Sequence, residues 1–183
     1  MNHVHCGGMK RTVRLCKLSG LSRSGAEDRS SAPFAAVFLG SADMDYRRFG
    51  NTIIARIDRG EEILDRLAAI ADAENIKLAS VSAIGATDSF TVGVYDTEKK
   101  VYRSNDFNGA FEIVSLAGTV NTMDGRYYSH LHLSAGDEKG EVFGGHLNRA
   151  RVSATCEAVI TVIDGTVDRF RDEETGLNLF DFK

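Results

Sequence analysis

The chain has 183 residues, 43% hydrophobic and 26% charged, with a formal net charge of −4, 18 glycines, one proline and no tryptophan. That length suits one domain, or one domain with an appendage, and the glycine content favours strands and tight turns over a helical bundle. No apolar run reaches the roughly 20 residues that cross a bilayer, which excludes a helical membrane protein.

Residues 1–43 differ in kind from the remainder of the chain. They carry six Lys/Arg against three Asp/Glu, whereas residues 44–183 carry 16 against 23, an excess of seven negative charges. The first segment is Ser/Gly-rich and aperiodic, "FAAVFLG" is too short for a secretory core, and Glu27 and Asp28 argue against a transit peptide. A disordered tail, or an extension upstream of a natural start at Met44, is the expectation. The acidic remainder is poorly suited to gripping phosphates, so it starts at a disadvantage as a lone DNA binder. Cys6, Cys16 and Cys156 are too few and scattered for a disulfide framework, which points to a reducing, cytoplasmic setting.

From Met44 the pattern sharpens. "YRRFGNTIIARIDRG" alternates around Ile53, Ala55 and Ile57 and reads as a strand ending at glycine. In "EEILDRLAAIADAEN", Ile63, Leu64, Leu67, Ile70 and Ala71 share one helical face, and Glu61 and Glu62 suit the positive end of the helix. "IKLASVSAIGATDSFTVGVYDTEKKVYRSNDF" reads as strands punctuated by Gly85 and a polar corner at Thr87–Ser89, with a hairpin turn near residues 97–100. "AFEIVSLAGTVN" is apolar on both faces, as a central strand would be. "YYSHLHLSAGD" and "RVSATCEAVITVIDG" complete the set. In the second, Val152, Ala154, Cys156, Ala158, Ile160 and Val162 form an expected core face, which makes Cys156 a small core residue. One early helix and strands thereafter predict an α+β fold with a mostly antiparallel sheet.

Three of the five histidines lie between Ser129 and Ala150. Alternation puts His130, His132 and Ser134 on one strand face and Leu131 and Leu133 on the other, which the core claims. Residues two apart on a strand lie roughly 6–7 Å apart, so both imidazoles can converge on one ion. Gly144 and Gly145 are expected to bring His146 back by a sharp return. Three imidazoles with an open fourth position suit zinc or another divalent transition metal. The plainer alternative is an exposed His pair with His146 at a turn. Glu112 is a candidate acceptor to orient an imidazole, or a residue at an edge or interface. There is no P-loop, dinucleotide fingerprint or G-x-S-x-G elbow, and no general acid or base is identifiable, so the chain reads more as a non-enzyme.

The order of these motifs is similar to one known family. "YRRFGNTIIARIDRGEEILDRLAAIADAENIKLASVSAIGATDSFTVGVYD", "FEIVSLAGTV", "HLHLS…GGHL", "ATCEAVITV" and the "DEETGLNLF" tail together resemble the PPC domain (plants and prokaryotes conserved domain) over residues 44–183. The resemblance implies an α/β sandwich around an antiparallel sheet, a homotrimer, and a DNA-binding label for the stand-alone bacterial members. It also implies that His130, His132 and His146 are a family feature able to hold a metal. The Arg-Gly-Arg core of an AT-hook, which enters the minor groove, has no counterpart here. Two functions stand as expectations: a DNA-associated regulatory protein with a metal-capable His cluster, or a metal- or small-ligand-binding module without direct DNA binding. An uncharacterised metal-dependent enzyme is a further alternative.

Overall fold

A computed structural model describes residues 45–183; the expected N-terminal extension lies outside them. The described chain runs β1 (Asp45–Phe49), β2 (Thr52–Asp58), α1 (Ile63–Ala73), β3 (Ala79–Asp96), β4 (Val101–Met123), β5 (Arg126–Gly136), β6 (Val142–Val162), β7 (Asp168–Arg171) and β8 (Asn178–Asp181). Every strand pairing is antiparallel, as the α+β reading requires. The main sheet has the order β1-β2-β6-β3-β4-β5, and β5 also pairs with the start of β6. Strands β3, β4, β5 and β6 therefore close into a circuit, and β7-β8 form a separate hairpin.

Helix α1 forms for the reasons its sequence states. The Glu62 carboxylate accepts the Asp65 amide at 2.9 Å as N-cap, and Ile63, Leu67, Ile70 and Ala71 make the buried stripe. The other Glu62 oxygen accepts the Ala150 amide at 2.7 Å, which ties the helix start to β6. In β2, Ile53, Ala55 and Ile57 are buried, and they pair with Ile160, Ala158 and Cys156 of β6. Phe90, Phe107, Phe111 and Phe143 gather from three strands, with Phe90 stacked on Phe107 at 4.8 Å and edge-on to Phe111 at 5.1 Å.

Several local expectations are corrected. "YRRFG" is a separate strand, β1, turned into β2 at Gly50 and Asn51, so the single strand is a hairpin. Gly85 and the Thr87–Ser89 corner do not end a strand. They are register shifts inside one 18-residue β3, where the buried Thr87 hydroxyl donates to the Arg151 carbonyl at 2.7 Å and holds the irregularity in place. The expected turn at 97–100 is present, with the Asp96 carboxylate accepting the Glu98 and Lys99 amides. The core face of β6 is broken at Ala154, which is exposed. Cys156 pairs with Gly85 but Val152 with Thr87, so the extra residues bulge out. Strand β4 is central between β3 and β5, yet Val114 on its second face is 57% exposed in the single chain.

Candidate metal centre

The site begins with Leu131 and Leu133, each 1% exposed, which pin β5 against the core. Alternation then turns Tyr128, His130, His132 and Ser134 to the opposite face. The chain leaves β5 through a tight turn in which the Asp137 carboxylate accepts the Lys139 and Glu141 amides, both at 2.9 Å. Gly140 sits there at φ +79. This turn, and not the glycine pair, makes the return to β6. Gly144 and Gly145 lie within β6 and serve close approach instead. A Cβ on Gly144 would stand 2.6 Å from the Leu133 carbonyl oxygen, and one on Gly145 2.7 Å from that of Gly93. Both neighbouring strands thus crowd the start of β6, and only bare backbone fits.

That crowding sets His146 directly opposite His132 in the β5–β6 register. The ring centroids are 5.2 Å apart for His130–His132, 5.1 Å for His130–His146 and 5.7 Å for His132–His146. One nitrogen from each ring lies within 4.8 Å of the others, a spacing at which three ligand atoms can surround one ion. His146 is half-buried and His132 is exposed. The Tyr102 ring stands edge-on to His146 at 6.2 Å, and its hydroxyl donates to Asn148 Oδ1 at 2.7 Å.

Burial is the main cause holding His130 below its usual range, followed by His146, Arg169 and His132. Burial and then His132 act on His146 in the same direction. Both shifts favour the neutral ring, the form that ligates. Glu112 does not orient any of them. It faces Gly136 in the β4–β5 register, four residues along β5 from His132. Among the described residues no carboxylate joins the cluster. Cys156 is fully buried, with its thiol pushed up to about 11 chiefly by burial, as a core residue should be.

One residue beside the site has no sequence signal. Arg169 of β7 is 7% exposed, with its guanidinium between the rings of Tyr128 and Phe180, at 4.7 and 4.2 Å. It lies in "VDRFRDEE", an ordinary charged run, and only the fold brings it to the histidine face.

A family model described as the Plants and Prokaryotes Conserved (PCC) domain matches residues 44–164. Among solved structures, a "putative DNA-binding protein" from Bacteroides thetaiotaomicron superposes with a TM-score of 0.74 at 29% identity, covering 76% of this chain and 97% of that one. A "metal-containing protein" from Archaeoglobus fulgidus gives 0.67 at 34% identity, covering 75% and 96%. A plant- and prokaryote-conserved protein from Pyrococcus horikoshii gives 0.66 at 29% identity, covering 78% and 97%. No curated protein matches the chain.

Proposed function

The chain belongs to the Plants and Prokaryotes Conserved domain family, and from that premise we propose that it is a metal-binding module. In this reading His130, His132 and His146 hold one divalent transition ion, zinc by preference. The observation that carries it is the convergence of three imidazole nitrogens within 4.8 Å of one another. The donor set fits: neutral imidazoles, no competing ion pair among the described residues, and a side left open for water or a ligand. A similar protein described as metal-containing supports it. The test is calorimetric titration of the metal-free chain with zinc, for which one ion per chain is expected.

The second reading is a DNA-related regulatory role, favoured by the description of the Bacteroides relative. Charge weighs against direct binding by the domain, since residues 44–183 carry 16 Lys/Arg against 23 Asp/Glu. Fluorescence anisotropy with duplex DNA should show weak binding by the full chain, steeply lost with added salt, and weaker binding still by residues 44–183. Tight, sequence-selective binding by residues 44–183 at physiological salt would restore the regulator.

Assembly as a homotrimer is part of the same proposal. Val114 and Val142 are 57% and 56% exposed and meet above Gly136, while Ile54 at 45% faces Val159 at 39% across β2 and β6. Apolar strand residues of this extent suit burial between subunits. Light scattering at micromolar concentration should give three times the chain mass of 19.9 kDa. A monomer mass would remove the trimer. A cytoplasmic location is consistent with the free, buried Cys156. No described helix is long and apolar enough to cross a membrane.

A further inference from the structure

Arg169 is held as few surface arginines are. Its Nε donates to Asn121 Oδ1 at 3.0 Å and its Nη1 to the Asn178 carbonyl at 2.7 Å. Asn121, fully buried, is itself fixed by donating to the carbonyls of Thr122 and Val167 at 2.8 and 3.1 Å. The two flanking rings leave the guanidinium no freedom to turn away. Five N–H groups leave the head of an arginine, and these contacts occupy two of them. Among the described residues no carboxylate forms an ion pair with it.

A buried cation without a counter-ion is costly, and an arriving anion would offset that cost. The location supplies the reason for one here. Tyr128, on which Arg169 stacks, precedes His130 by two residues on the same face of β5. A divalent ion on three neutral imidazoles would add two positive charges beside that guanidinium, with no carboxylate among the described ligands to offset them. Both charges call for the same partner.

We propose that Arg169 anchors a small oxyanion, a carboxylate or a phosphate, which also fills the open position of an ion held by His130, His132 and His146. The three N–H groups left on Nη1 and Nη2 can donate to either oxyanion, and the ion takes an oxygen of the same molecule. This rests on the metal reading above. Anion and metal then bind with positive coupling, each tightening the other by the same factor.

The test uses the full chain loaded with cobalt(II), whose visible absorption reports the coordination shell, titrated with acetate and with inorganic phosphate. Each bound oxyanion should alter the spectrum, and the tighter of the two identifies the class. In Arg169→Met the anion affinity should fall at least about tenfold, while cobalt affinity without anion is unchanged or higher. A purely structural arginine would lower stability and leave anion affinity alone, and equal anion affinity in the two proteins overturns the proposal. Should the variant not fold, the Nη–H resonance of Arg169 in the natural chain decides: movement on anion addition upholds the anchor and silence overturns it. Failure to bind cobalt would remove the metal reading separately, and the same resonance in the metal-free chain would still decide the anchor.

Discussion

His132→Ala is expected to weaken zinc binding at least about a hundredfold, since loss even of a group that only supports a metal ligand costs ten- to hundredfold. His132 is exposed and lies opposite His146, so its ring closes the triangle. Removing it takes away one of three donors and touches nothing in the core, because Leu131 and Leu133 face the other way. The melting temperature of the metal-free variant should therefore match that of the natural chain, while calorimetry shows the affinity lost. The pH dependence comes from His130 and His146. Burial holds His130 and His146 below their usual range, so protonation competes with the ion only as pH falls below ~6.5. Zinc should be retained at neutral pH and released progressively in that acid range. Zinc heats that are absent, or unchanged by the substitution, would leave the cluster a polar surface.

Gly118→Val is expected to destabilise the fold by about 3 kcal/mol, the upper range for forcing bulk into a packed site. Gly118 of β4 faces Leu131 of β5, and a Cβ there would overlap the His130 carbonyl oxygen and stand 2.9 Å from the Leu131 Cα. Both obstacles are backbone, so β5 itself must move, and it must move at the residues that carry the site. Urea unfolding should show the lost stability, and zinc titration should show weakened binding in the fraction still folded. Gly125→Ala is the contrast. Gly125 has φ +71 but open space around its Cβ position, so only backbone strain of about 1 kcal/mol is expected. A Gly118→Val midpoint equal to that of the natural chain would show that the β4–β5 contact yields more readily than its packing indicates.

Residues whose meaning depends on near neighbours were legible before any fold was known. The stripe Ile63, Leu67, Ile70 and Ala71 is set by helical period, and it is the buried face of α1. The alternation Leu131–His132–Leu133 assigns each side chain to a face of the strand, and the leucines take the core. The family followed from the order of such segments, and the family model matches over residues 44–164. Where a pattern crossed an irregularity it misled: Ala154 keeps the alternation on paper, but the shift between Gly85 and Thr87 against β6 turns it to the surface.

The sequence by itself therefore determined helix α1, the core face of the regular stretches of strand, and that His130 and His132 share a side. It did not determine the β1–β2 hairpin, the unbroken β3 or the β7–β8 hairpin. Tertiary structure alone decided that β5 closes on β6, that His146 stands opposite His132, and that Arg169 reaches the histidine face through Tyr128. The physical reason is the range of the forces involved. Facing is set by backbone geometry within two to four residues, whereas register between strands is chosen by packing that spans the chain. Contacts as remote as Arg169 with Asn121, 48 residues apart in sequence, leave no local period to read.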